Sequence, residues 1–297
     1  MRFKSGAIML SVATMRVRGF ATEAALLPLK SSKEQVYVVS TASRGLGLEF
    51  TRQLLSRTEG RVVALTRSPA SAPSHELSQL LTQHPNRLHI TQVDLEDQES
   101  VISAGSSLSS YTDRVDLLLN VAGLLGDGSS SPGPERSVAK IDREWLRKTM
   151  EVNLIGHVMM TQQLFPLLTN KQASNLMPTV VNVSARVGSI EDNGLGGWYS
   201  YRMSKSAVNM FTRTLDLELK RYGGLSLSLH PGTVATSLSE PFMKMSADNI
   251  KLFTPAHSIN MLLNIIWRER EKEREREKGS ERGGGKCYAY DGSVIPW

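Results

Sequence analysis

The chain has 297 residues and 40% hydrophobic content, enough for one sizeable core, since α/β folds commonly build one domain from roughly 200–250 residues. Its formal charge is +6, but residues 1–40 and 268–286 carry all of it, so the body lacks the basic stripe expected of a nucleic-acid binder. One cysteine, Cys287, and six scattered histidines exclude an intramolecular disulfide and a cysteine-rich metal centre.

Residues 1–20 contain Arg2, Lys4, Arg16 and Arg18, and no acid precedes Glu23. Serine, alanine and methionine fill the gaps, the composition of an organelle transit peptide. Arg18-Gly19-Phe20-Ala21 has the arginine, aromatic and small residues of a mitochondrial processing site. The expectation is a leader over residues 1–34 and a mitochondrial address, with the cytoplasm as the alternative. A membrane span needs about 20 apolar residues, and no run in the chain supplies them.

From residue 35 onward the pattern alternates. Gln35–Ser40, Arg61–Thr66, Leu88–Val93, Val115–Asn120, Thr179–Ser184, Leu225–His230 and Lys286–Asp291 read as strands. Several are apolar almost throughout, as parallel strands covered on both faces are. Leu46–Arg57, Arg143–Leu168 and Tyr201–Arg221 have helical length and periodicity. The prediction is a single α/β domain over 35–297: a doubly wound parallel β-sheet, or Rossmann fold, with helices on both faces and the ligand beyond the carboxyl ends of its strands. Residues 268–285 form a charged, low-complexity insert. Without an apolar stripe it is expected to be a solvated extension of the helix around Ile259–Trp267, ending in a flexible glycine-rich loop at 283–285.

Two places in this frame carry chemistry. The first strand runs into Ser40-Thr41-Ala42-Ser43-Arg44-Gly45-Leu46-Gly47 and then a helix. Small residues there let backbone amides approach a pyrophosphate at a helix N-terminus. The second strand ends at Thr66, where an NAD-binding chain usually holds an acid, and Arg67 follows. Arg44 and Arg67 together suit a 2′-phosphate through forked hydrogen bonds, which predicts NADP(H). Farther on, Tyr201-Arg202-Met203-Ser204-Lys205 places a tyrosine and a lysine four residues apart, on one helical face. Tyr199, six residues from Lys205, falls on another face at ~100° per residue. A free phenol has a pKa near ~10, and a nearby ammonium is expected to lower it and make Tyr201 a usable proton relay.

The glycine loop resembles the TGxxxGxG loop, and Tyr201–Lys205 the YxxxK motif, of short-chain dehydrogenases/reductases. Asn120-Val121-Ala122-Gly123 is similar to that family's NNAG, and Pro231-Gly232-Thr233-Val234 to the segment meeting the nicotinamide. Ser184 to Ile190, Gly196-Gly197-Trp198-Tyr199 and the C-terminal Tyr290-Asp291-Gly292 resemble a C-factor-like subgroup. The resemblance implies an oxidoreductase moving a hydride between NADP(H) and a small carbonyl or alcohol. Tyr201 would give or take the proton, Lys205 would hold the nicotinamide ribose, and Asn153 would position a water-linked relay. It implies cofactor contacts at Thr41, Ala42, Ser43, Arg44, Gly45, Leu46, Gly47, Arg67, Asp94, Leu95, Asn120, Tyr201, Lys205 and Val234. It also implies a homodimer or homotetramer paired through the helices after strands four and five; the six histidines, scattered without metal-ligand spacing, give no metal site.

Three residues depart from the pattern: Thr41 and Val121 replace a glycine and an asparagine, and Ala185 follows Ser184 where the family carries a second, catalytic serine. Thr41 tolerates a left-handed turn poorly, so the loop is expected to turn differently or to bind less tightly. Ser184, or Ser189 from the following loop, is the candidate for the missing hydroxyl. An alternative reading follows: an NADP(H)-binding redox-sensing or interaction protein with attenuated catalysis. The pocket walls are expected at Leu124–Lys140, Gly188–Trp198 and Ala235–Phe253.

Overall fold

Strand β1 (Val36–Val39) is apolar at every position because both of its faces are covered. Val36 and Val38 enter one core layer, and Tyr37 and Val39 enter the other, following the two-residue period of a strand. This computed structural model describes residues 28–67, 75–126, 134–173, 175–239, 251–276 and 281–297; of the leader expected over 1–34, residues 1–27 lie outside the described residues, whereas Leu29 packs against the core and donates its N–H to the Arg57 carbonyl (2.7 Å).

Helix α1 (Gly45–Arg57), β2 (Arg61–Thr66), α2 (His75–Gln83), β3 (Leu88–Gln92), α3 (Gln98–Tyr111) and β4 (Leu117–Asn120) follow in order. Next come α4 (Arg143–Met150), α5 (Gly156–Leu168), β5 (Thr179–Val183), α6 (Tyr199–Leu219) and β6 (Leu225–His230). Short strands β7 (Thr233–Val234) and β8 (Leu252–Phe253), helix α7 (Pro255–Arg274), β9 (Lys286–Ala289) and β10 (Val294–Ile295) close the chain.

The main sheet runs β10-β9-β6-β5-β4-β1-β2-β3, and only the β9–β10 pair is antiparallel. Helices α1, α2 and α7 cover one face, and α3, α5 and α6 the other. The order reverses between β1 and β4, so their connections diverge and open a crevice at their carboxyl ends.

A polar seam crosses the sheet near that end. Asn120 of β4 lies in register with Asn182 of β5, and Asn182 with Ser228 of β6. Asn120 Nδ2 donates to Asn182 Oδ1 (2.9 Å) and Thr161 Oγ1 (3.0 Å), while Asn182 Nδ2 donates to Thr212 Oγ1 (2.9 Å). Buried amides need such partners, and here they tie α5 and α6 to the strands beneath them.

Two elements differ from expectation. The helix expected over Arg143–Leu168 is interrupted by a π-helical turn at Glu151–Ile155. Gly156 ends the turn against Leu95, where an added Cβ would lie 2.8 Å from the Leu95 Cβ. The charged run is also not a freely solvated extension. Within α7, Glu269 and Arg270 are buried, and Arg270 Nη1 donates to the Asp116 carbonyl (2.7 Å) and Thr179 Oγ1 (2.8 Å). Glu273 pairs with Arg276 and Arg282, and Arg282 reaches Asp216. Gly283 and Gly284 press against Glu269 and Asp216, where any Cβ would collide with a carboxylate. The run buries a face because other charged groups satisfy it, which hydrophobic patterning does not register. Residues 277–280 lie outside the described residues.

Candidate active site at the carboxyl ends of the strands

The turn after β1 keeps the left-handed conformation despite its threonine: Thr41 has φ +52°. The expectation of a different turn is thus corrected. The Thr41 hydroxyl donates to the Ser40 carbonyl (2.8 Å), and the neighbouring Ala42 N–H donates to Leu65 (2.9 Å). Ser40 accepts the Val121 N–H (2.8 Å), locking the β1 and β4 ends together. A side chain at Gly47 would strike the Thr41 carbonyl, whereas Gly45, at φ +55°, has nothing nearer than Thr236 Cγ2 at 3.9 Å. Arg44 precedes α1 in extended conformation with no side-chain cap. The loop is therefore a shallow cradle backed by a helix N-terminus, a shape and polarity that suit a pyrophosphate.

Arg44 and Arg67 are both exposed at the ends of β1 and β2, strands that pair in parallel. Residues 68–74, which follow Arg67, lie outside the described residues. The Asp94 carboxylate accepts the Glu96 N–H (3.1 Å), and Leu95 is buried beneath Gly156. Val234 is buried in β7. Asn120 Nδ2 is engaged in the seam, while its Oδ1 is buried without a hydrogen-bond partner.

The π turn presents Asn153. Its Oδ1 accepts the Leu124 N–H (2.6 Å), and its Nδ2 donates to the Leu124 carbonyl (3.0 Å) and to Ser204 Oγ (3.0 Å). One fully buried side chain thus joins the π turn, the β4 connection and α6. On α6, Lys205 Nζ lies 5.8 Å from the Tyr201 ring centre and donates to the Val183 carbonyl (2.8 Å). Tyr199, at the helix start, is only half-buried.

Tyr201 packs with Leu125 and Ala185, flanked by Val187, Trp198 and Leu238. In that apolar setting burial pushes its hydroxyl up to about 12, so the predicted lowering by Lys205 is corrected: burial, not the ammonium, sets the direction. Burial also pulls the Lys205 ammonium down to about 7. Both charged forms lose hydration, and that loss opposes phenolate and ammonium alike.

Ser184 is not brought to Tyr201. Its hydroxyl donates to Asn209 Oδ1 (2.7 Å), and Ala185, on the opposite face of the chain, touches the tyrosine. Ser189 accepts the Asp192 N–H (3.0 Å) within its own loop. Of the pocket walls, 127–133 and 240–250 lie outside the described residues. Two further residues enter the site. His157, one turn beyond Asn153, is fully buried with Nε2 3.0 Å from the Ala122 carbonyl; its i+4 spacing was a usable signal. Glu135 binds the start of α6 from 65 positions away, and no local pattern announces it.

The geometry defines a nucleotide-binding α/β protein with a tyrosine and a lysine buried beside the cradle. The short chain dehydrogenase family model matches residues 35–247. The chain belongs to the short-chain dehydrogenase/reductase family of oxidoreductases. It is 31% identical over 205 residues to the 1-hydroxy-2-glutathionyl-2-methyl-3-butene dehydrogenase of Rhodococcus sp., covering 69% of this chain and 80% of that one. It is 27% identical over 186 residues to the C-signal protein of Myxococcus xanthus, covering 63% of this chain and 95% of that one. The NADPH-bound carbonyl reductase from chicken fatty liver superposes with a TM-score of 0.71 at 25% identity, covering 89% of this chain and 99% of that one. Among the described residues no helix is long and apolar enough to cross a membrane, and no group of three or more His, Cys, Asp or Glu side chains could hold a metal ion.

Two outcomes follow from these conformations. Left-handed backbone costs a non-glycine residue roughly 1–2 kcal/mol, so Thr41→Gly is expected to stabilise the protein by about 1 kcal/mol in urea unfolding; destabilisation would mean that the Thr41 hydroxyl matters more than the strain. Lys205 is charged up to pH ~10.4 when unfolded, but folded it gives up its proton from about 7. Between those values the unfolded chain binds more protons, so the burial cost is complete below 7 and fades as pH rises. Lys205→Met is therefore expected to be more stable than the parent at pH 6, by roughly 2–4 kcal/mol, with the gap closing towards pH 10. Equal stability at both pH values would refute the depressed lysine.

Proposed function

We propose that the protein is an NADP(H)-dependent carbonyl reductase or alcohol dehydrogenase in which Tyr201 is the proton donor and acceptor. The observation that carries the reading is the burial of Tyr201 beside Lys205, both tied through Asn153 and Ser204 to the crevice between β1 and β4. The glycine cradle and the uncapped start of α1 fit a dinucleotide pyrophosphate, and the exposed guanidiniums of Arg44 and Arg67 fit a 2′-phosphate. When bound, NADPH supplies the hydride that a carbonyl carbon accepts. Tyr201, which burial keeps protonated near neutrality, then gives its proton to the carbonyl oxygen, and the alcohol leaves complete. Lys205 is poised by its depressed pKa to return a proton towards the tyrosine, and Asn153 fixes the helix turn that holds both. The NADPH-bound carbonyl reductase with the same fold supports this cofactor and substrate class.

The test is a fluorescence titration of the full chain with NADPH and then NADH, followed by a panel of aldehydes and ketones. NADPH is expected to bind more tightly than NADH, and Arg67→Asp to erase that preference. Failure to bind either nucleotide would remove the oxidoreductase reading.

The turned-away Ser184 and the apolar Ala185 favour a second reading, a nucleotide-binding protein with attenuated turnover. Losing one donor to a reacting oxygen typically costs about 10²–10³ in rate, so on that reading Ala185→Ser should raise kcat by about tenfold or more. No gain, in an enzyme already turning over at ordinary rates, would favour full catalysis without the serine.

A further inference from the structure

The entrance to the catalytic helix is unusual. Gly196, Gly197 and Trp198 are left-handed in succession, at φ +64°, +67° and +54°. The two glycines adopt this freely, but a tryptophan needs surrounding structure to hold it there. Trp198 supplies no side-chain cap for α6. Its N–H donates instead to the Glu135 carbonyl (2.5 Å), two residues before Ser200, whose own N–H donates to Glu135 Oε2 (3.2 Å). The Ser200 hydroxyl donates to Glu135 Oε1. Glu135 is only 2% exposed, and a carboxylate at a helix N-terminus complements the partial positive charge there.

On the other side of Tyr201, Arg202 donates to three loop carbonyls: Gly197 (2.9 Å), Val187 (3.2 Å) and Gly196 (3.1 Å). Tyr201 therefore stands between two anchored neighbours. The Trp198 ring, 6.2 Å from the Tyr201 ring and edge-on to it, belongs to the wall that a carbonyl compound would meet.

We infer that Glu135 is a positioning residue: by latching Trp198 and Ser200 it fixes the first turn of α6, and with it the placement of the Tyr201 hydroxyl and the apolar wall on the carbonyl side of the site. This rests on the function proposed above for Tyr201. An ordinary helix cap would change stability alone. A positioning latch changes how a carbonyl is held while leaving the pyrophosphate cradle, built from the β1–α1 turn and supplying most of the dinucleotide's contacts, untouched.

The test compares Glu135→Ala, Glu135→Gln and Ser200→Ala in the full chain. Small misplacements of reacting groups can cost about 10²-fold, so Glu135→Ala is expected to lose roughly tenfold to a hundredfold in kcat/KM for the carbonyl. NADPH affinity by fluorescence should hold, and amide exchange at Ser200, whose N–H is held by the Glu135 carboxylate, should quicken more than at Trp198, which the Glu135 main-chain carbonyl still holds. Glu135→Gln, which keeps an acceptor for the Ser200 N–H, should recover most of the loss. Unchanged kcat/KM with unchanged exchange overturns the inference, as does a loss of NADPH affinity as large as the loss in kcat/KM. If Glu135→Ala does not fold, Glu135→Gln and Ser200→Ala decide by the same readouts. If the parent protein turns over no carbonyl at all, the proposed function fails on its own. Exchange at Ser200, with the rate of Tyr201 nitration by tetranitromethane, then still decides the latch.

Discussion

The arrangement of the site depends on the side-chain amide of Asn153. Its three hydrogen bonds reach the backbone of Leu124 on both its donor and acceptor sides and the hydroxyl of Ser204, with no exposure to solvent. A buried amide with incomplete partners is costly, so the chain must bring all three elements together or lose the stability of each. The π turn is the local consequence. An uninterrupted α-helix from Arg143 to Leu168 would carry residue 153 in a different direction, and the extra residue in the turn re-aims it. Ser204 passes the constraint on by donating to the Tyr201 carbonyl (2.8 Å).

The reactive pair itself sits where stability would not place it. Lys205 is 2% exposed and Tyr201 9% exposed, and desolvation works against the charged form of both. The surrounding structure holds them through the seam of Asn120, Asn182, Thr212 and Ser228 and the large two-layer core beneath. Such a division is familiar in proteins whose reactive groups require a dry environment: the scaffold is locally consistent, and the departures from consistency collect at the site. Thr41 and Trp198, both left-handed without being glycine, lie at its two edges.

Much of the scaffold was legible in the chain. Runs rich in aliphatic residues between turn signals mark the strands, so β2, apolar from Val62 to Leu65, and β6, which alternates leucine with buried serine, have the limits their residues suggest. The pairing of Tyr201 with Lys205 follows from helical spacing alone. What misled was chemistry that hydrophobic patterning does not register. The REREKE run has no apolar stripe, yet Glu269 and Arg270 are buried because Asp116, Thr179, Arg268 and Lys272 meet them. The strand rule that opposed Ser184 to Ala185 was sound, but only the position of Asn209 shows which face looks towards the tyrosine.

The residue order by itself determined the alternation of strands and helices, the glycine cradle and the i, i+4 pair, because each depends on neighbours within a few positions. Tertiary structure alone decided the left-handed Thr41, the break in the helix at Asn153, the direction of the Tyr201 pKa and the role of Glu135. Each of these is set by groups distant in the chain, through burial or through hydrogen bonds such as the one from Ser200 to Glu135. Local periodicity carries no information about such partners, whereas folding fixes their distance and takes the water from between them.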